Sequence, residues 1–295
     1  MKFTLALAMT PPDRVLPLAR AAEAAGWDAV AFPDSVFYPE EVTGDYPFTP
    51  DGKRFWPEDS PFVDPLVGMP AVGAATERLD LYTNVLKTPL RHPLLVAKAV
   101  GSLAALFPGR VGLGVGLSWI PEEFEWLGQE KATRGKRLDE QIEIIRSAVA
   151  GGYVEHHGPH YDFGRLRMDP PAPGPVPIYV GGHSDAGLRR AARLGDGWIG
   201  AQAGADDLVA LIDRLRVALA AEGRDLDGYE VKATPLVPAE PDEFAALAAA
   251  GLTDVITVPW YFSGGDPNDP QHQLDSLGWF AETVIEPLRD LEVES

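Results

Sequence analysis

Apolar residues recur along this chain in short runs, each followed by a stretch in which they return at every third or fourth position, which is the pattern of strand and helix in alternation. Residues 3–8 form the first run, and behind Thr10-Pro11-Pro12-Asp13 the residues Leu16, Ala19, Ala22 and Ala25 make a helical stripe that Gly26 ends. The second run is residues 29–32, with a helix expected over 61–76. A third run, 79–86, precedes a helix starting near His92-Pro93 and carrying Leu94, Val96, Ala97, Val100, Leu103 and Leu106. The fourth, 111–116, leads to a short acidic helix at 121–129 and then to a main helix from Thr133, with Leu138, Ile142, Ile145 and Val149 at helical spacing. Runs at 177–180, 198–201, 229–236 and 254–258 complete the series, followed by helices beginning near Ser184-Asp185 and spanning 206–221, 241–250 and 274–291.

Eight strands, each followed by a helix and with no duplicated half or linker, predict an α/β fold of the (β/α)8 TIM-barrel type, with residues 1–295 as one barrel domain. A doubly wound sheet is the rival. It would need a glycine fingerprint in the first strand-to-helix turn, and Ala8-Met9-Thr10-Pro11 has none. Two insertions interrupt the rhythm, one after strand 2 and one after helix 4. Residues 37–60 are rich in proline, acids and aromatic rings, including Tyr38, Tyr46, Phe48, Phe55 and Trp56, and are expected to form an ordered lid. Residues 153–176 show no clear period, and their His156, His157 and His160 lack carboxylates on a common face, so no metal site is expected there.

The charge balance narrows the partners. Lys plus Arg is 25 against 44 for Asp plus Glu, a formal charge of -19, which repels nucleic acid and anionic membranes. An anionic ligand must therefore be held by local N–H groups and a few chosen cations. With no cysteine in the chain, disulfides, thiolate metal sites and cysteine nucleophiles are excluded. The N-terminal apolar run is too short for a secretory signal, and a cytoplasmic protein is expected.

In a barrel, the carboxyl ends of the strands share one mouth, which here gathers Asp34, Ser35, Asn84, Val85, Leu117, Ser118, Trp119, Gly181 to Ser184, Gln202 and Trp260. No metal-binding histidine pair, carboxylate triad or nucleophile elbow is among them. The turn Gly181-Gly182-His183-Ser184 follows a buried strand and opens a helix. It is either an ordinary connection or an anion cradle, in which glycines bare the main chain and helix-start N–H groups favour a phosphate. Gly112, Gly114 and Gly116 place small residues on one strand face, either for close ligand approach or for tight interior packing. Trp56, Trp119 and Trp260 suggest an aromatic-walled substrate pocket, with packing as the plain alternative.

Four motifs in order resemble the luciferase-like monooxygenase superfamily and, within it, the branch using the deazaflavin F420: Arg91-His92-Pro93; Gly109-Arg110-Val111-Gly112-Leu113-Gly114-Val115-Gly116; Thr133-Arg134-Gly135 before Arg137-Leu138-Asp139-Glu140; and Gly181-Gly182 before Leu188-Arg189-Arg190-Ala191-Ala192-Arg193-Leu194-Gly195-Asp196-Gly197-Trp198. The resemblance runs to about Ile199. It implies a cofactor phosphate held by the N–H groups of Gly181, Gly182 and His183 with Ser184 capping the helix. It also implies a non-prolyl cis peptide at Asn84-Val85 against the deazaflavin ring, a cofactor contact from Asp34, and ring-lining positions at Leu117 and Ser118. Two departures stand out: Ser35 where many relatives have histidine, and Trp119 where some sugar-phosphate-oxidising relatives have glutamate. A sugar-phosphate dehydrogenase activity is therefore not expected, because alcohol oxidation needs a base within hydrogen-bond reach.

The expectation is an F420-dependent oxidoreductase moving a hydride between deazaflavin C5 and a small organic substrate. Asp34, Ser35 or a water serves as proton source and Trp119 lines the reacting centre. The alternatives are an FMN-dependent two-component monooxygenase fed by a separate reductase, and a barrel that binds a flavin or deazaflavin without turnover. A homodimer is expected from the resemblance, and neither nucleic acid nor a membrane as partner.

Overall fold

The computed structural model describes residues 1–289; of the helix expected over 274–291, the last two residues lie outside that range. Strand β1 (Lys2–Ala6) leads to helix α1 (Pro12–Ala24) and β2 (Ala29–Phe32), and the long segment after β2 ends at α2 (Pro65–Ala75), which Asp64 caps by accepting from Leu66 N at 2.8 Å. The third run is split into β3 (Asp80–Thr83) and β4 (Leu86–Lys87) around Asn84-Val85, whose peptide bond is cis. There follow α3 (Pro93–Leu106), β5 (Val111–Gly116), α4 (Pro121–Trp126) and α5 (Arg134–Ala150). The segment read as aperiodic is an antiparallel hairpin of β6 (Tyr153–His157) and β7 (Asp162–Arg167). The chain continues as β8 (Ile178–Gly181), α6 (Asp185–Leu194), β9 (Gly197–Ala203), α7 (Ala205–Ala221), β10 (Glu230–Pro235), α8 (Pro241–Ala249), β11 (Asp254–Thr257) and α9 (Pro270–Phe280), which runs on through a π-helical turn, Ala281–Ile285.

Pairing is parallel throughout the barrel, in the order β1-β2-β3-β5-β8-β9-β10-β11, and β11 returns to β1 to close it. Side chains alternate across the wall. Phe3, Leu5, Val30, Val115, Val180 and Val231 face the helices in one large apolar layer, while Ala6, Ala31, Tyr82, Tyr179, Ile199 and Ile256 fill the interior. At the end opposite the mouth the interior is polar. Lys232 Nζ lies 2.5 Å from Asp254 Oδ2 and 2.8 Å from Glu230 Oε2, between the rings of Tyr82 and Tyr179. Thr4 donates to Asp254 and Tyr179 donates to Glu230, so the acids that hold the buried cation are themselves hydrogen-bonded. Among the described residues, no helix is long and apolar enough to cross a membrane.

The strand-four glycines serve the barrel. A Cβ on Gly114 would lie 1.9 Å from the Thr83 carbonyl oxygen, one on Gly112 would lie 2.7 Å from the Tyr179 ring, and one on Gly116 would lie 2.4 Å from Val85 Cγ2. Neighbouring protein atoms fill that face, so of the two readings, interior packing holds.

Candidate functional site

Parallel strands bring the predicted mouth residues to one end of the barrel, where several of their side chains are hydrogen-bonded within the protein. Asp34, just past β2, is buried, and its carboxylate is taken up entirely by the protein. Arg91 donates to both oxygens at 2.6 and 3.0 Å, and Lys87 N donates at 2.8 Å. Held on both oxygens by the guanidinium and on one by Lys87 N, the Asp34 carboxylate is engaged within the protein. Ser118 is likewise engaged within the protein. Its hydroxyl donates to Glu123 and accepts from Ile120 N at 3.0 Å, so it fastens the start of α4 from within the protein. Glu123, fully buried, also takes Lys87 Nζ at 2.6 Å. Leu117 packs on the helix-facing apolar layer. Ser35 and Asn84 are half-buried, and their side chains find no hydrogen-bond partner among the described residues.

The lid is ordered and aromatic, as its composition predicts. Tyr46 is its hub: its ring meets Phe48, Phe55, Trp56 and Trp119 with centroids 5.1 to 5.9 Å apart, all edge-on. Edge-to-face rings at such spacings pack favourably. Burial pushes the Tyr46 hydroxyl up to about 12, so it remains protonated at neutral pH. Thr43 anchors the lid by donating to Glu122 Oε1 from both N and Oγ1, at 2.9 and 2.7 Å. Phe48 reaches across to His183, 5.1 Å between centroids, so the lid spans from the end of β5 to the end of β8. Trp56 and Trp119 belong to this cluster, 6.5 Å apart. Trp260 does not: it is buried in the apolar layer on a 3-10 turn, Pro259–Tyr261.

The turn after β8 leaves main-chain N–H groups without partners among the described residues at His183 and Ser184, whereas Gly182 N is taken up by the sheet. Gly181 ends the strand in register with Ile199, and Gly182 N donates to the Ile199 carbonyl at 3.4 Å, so Gly182 belongs to the sheet. Gly182 has φ +134, which glycine adopts without strain, and a Cβ built on it would meet only Gly187 Cα, at 3.7 Å. Beyond it, the N–H groups of His183 and Ser184 have no partner among the described residues. Ser184 Oγ caps α6 by accepting from Gly187 N at 3.2 Å, as expected. Those free N–H groups, at the positive end of α6, suit a phosphate. Arg214 donates to the His183 carbonyl at 3.1 Å and to Asp185 Oδ1 at 2.6 Å. That ion pair holds the Asp185 carboxyl below its usual range and offsets an acid that would otherwise repel an anion.

Sequence reading missed the His183 side chain. Its Nε2 accepts from Ala201 N at 2.8 Å, and burial, with Arg214 nearby, pushes the ring below its ordinary pKa of 6.5. It also missed the pairing of Arg91 and Lys87 with buried acids; the alternation at the strand ends gives no hint of partners 57 and 36 residues away. Arg190 and Arg193 turn to Asp139 on α5 and not to the mouth. Two of the insertion's three histidine side chains are paired with acids, His156 with Glu140 and His157 with Asp162, while His160 donates to Glu140 from its main-chain N–H; no cluster that could hold a metal occurs among the described residues.

Comparison with known proteins places this geometry. Residues 3–289 match the family described as luciferase-like monooxygenase. An uncharacterized protein of Mycobacterium tuberculosis is 46% identical over 97% of this chain and 99% of its own. An F420-dependent glucose-6-phosphate dehydrogenase of Nakamurella multipartita is 32% identical over 90% of this chain and 76% of its own. Among solved structures, the coenzyme F420 dependent tetrahydromethanopterin reductase from Methanopyrus kandleri superposes with a TM-score of 0.75 at 15% identity, covering 97% of this chain and 99% of that one. The monooxygenase RslO1 from Streptomyces bottropensis follows at 0.73 and 19% identity, with the same coverage. At those identities the likeness is one of fold.

Proposed function

Because the chain belongs to the luciferase-like monooxygenase family, we propose that it is an oxidoreductase that uses the deazaflavin F420 and acts on a small, uncharged organic substrate. The observation that carries this reading is the pair of unpartnered N–H groups, His183 and Ser184, at the start of α6 and at the mouth of the barrel. They would hold the cofactor phosphate, and Val85, whose methyls lie over Gly116 and Gly181, would support the ring. When bound, F420 supplies a two-electron hydride carrier.

The protein's part is orientation, dryness and a proton. The lid rings around Tyr46 exclude water from the mouth. Asn84 offers an unpaired amide, and Ser35 Oγ is the atom to which we assign proton passage between substrate and solvent. The substrate is read as uncharged because Lys87 and Arg91, the cations beside these strand ends, are already neutralised by Glu123 and Asp34. In this respect the site differs from what a sugar phosphate needs.

Titrating the purified chain with F420 should quench or shift its fluorescence with micromolar or tighter affinity, and glucose 6-phosphate should not be oxidised. A phosphate cradle serves FMN equally well, so a parallel FMN titration decides the second reading, a flavin monooxygenase. Preferential FMN binding would replace the first reading with it.

A further inference from the structure

Resting on the reading that a cofactor phosphate sits at this turn, we propose that the side chain of His183 is part of the phosphate site, donating a hydrogen bond from Nδ1 beside the main-chain N–H groups of His183 and Ser184.

The Ala201 N–H fixes the tautomer. It points at Nε2 over 2.8 Å, and a ring nitrogen that accepts a hydrogen bond carries no proton, so the neutral ring holds its proton on Nδ1. Turning the ring over would set a carbon against the same N–H, which leaves a main-chain donor unsatisfied. Protonating Nε2 would set donor against donor. Nδ1 is bonded to Cγ, three bonds from Cα, so of the two ring nitrogens it is the one nearer the main chain that carries the free N–H of His183. Among the described residues, Nδ1 has no partner.

The ring is also held in place. Phe48 stands edge-on to it from the lid, and Trp198 lies against it with centroids 5.9 Å apart while its indole N–H holds the Gly182 carbonyl at 2.8 Å. Lid, ring and turn therefore form one packed unit, and a donor fixed before the ligand arrives loses little freedom on binding. An uncharged donor also suits this place, since Arg214 is already committed to Asp185 and to the His183 carbonyl.

A simpler role for His183 is to tie the turn to β9 through Ala201, and two substitutions separate the roles. His183→Gln can keep an acceptor for Ala201 but lacks a donor near Nδ1; His183→Asn offers a donor near Nδ1 but cannot reach Ala201. Affinity is measured by fluorescence for F420 and for the same deazaflavin lacking its phosphate arm. The expected result is a loss of about tenfold or more in F420 affinity for His183→Gln, recovered largely in His183→Asn, with the phosphate-free compound bound alike by all three proteins. Equal losses for both compounds, no loss in His183→Gln, or rescue by Gln and not by Asn each overturn the proposal. A nitrogen-15 NMR spectrum of the unliganded protein should show the proton on Nδ1, and a proton on Nε2 would sink it. Absence of F420 binding by the unsubstituted chain removes the cofactor reading together with this one, whereas F420 binding without the phosphate-specific pattern removes only this one.

Discussion

A Cβ on Gly114 would overlap the Thr83 carbonyl oxygen, the tightest such contact among the described glycines. Gly114→Ala should accordingly cost about 3 kcal/mol or more in a urea titration, against well under that for Gly164→Ala, where nothing lies within 4 Å. The sequence exposes this residue's smallness but not its neighbour, because Thr83 meets it only through the β3–β5 pairing that closes the sheet. The same holds at the mouth. Ser184 was legible as a cap, since capping acts over three residues, and the cis peptide at Asn84-Val85 was implied by the resemblance and is present. Asp34 was legible as an acid at a strand end, but not as the partner of Arg91, and His183 was legible as an amide donor but not as a ring anchored to Ala201. Side-chain partners across the mouth depend on strand register, which local pattern does not contain.

Among the elements, the barrel strands were found to within about two residues at each end, the split of the third run apart, because their apolar runs are bounded by glycine and proline. The β6–β7 hairpin was missed although its strands alternate exposed and half-buried positions and meet over Gly158-Pro159. With one face on solvent and one thinly covered, its polar residues hide the two-residue period. The polar end of the barrel was missed for a related reason: Lys232, Glu230 and Asp254 look like ordinary strand-edge charges until β10 and β11 are set side by side. Burial pushes the Asp254 carboxyl up and Lys232 pulls it down, so this acid depends on its cation. Lys232→Met should therefore destabilise the protein by about 3 to 5 kcal/mol, while Lys232→Met combined with Asp254→Asn should recover a large part of that in the same denaturation experiment. Additive losses would show that the two charges do not act as a pair.

For the molecule as a whole, alternation of strand and helix gave a parallel α/β fold with two covered faces, and the missing glycine fingerprint in the first strand-to-helix turn separated the (β/α)8 barrel from a doubly wound sheet. The charge of -19 was equally plain, and it predicts no saturable binding of duplex DNA in fluorescence anisotropy at about 50 mM salt, where electrostatic association is strongest. Closure has one further result. Lys2 pairs with Asp254, so β1, made some 250 residues earlier, waits for β11 before its second edge is covered. Until residue 257 emerges, a nascent chain carries an open parallel edge that can recruit a neighbouring chain, and a version truncated before β11 should need chaperone protection that the finished ring does not.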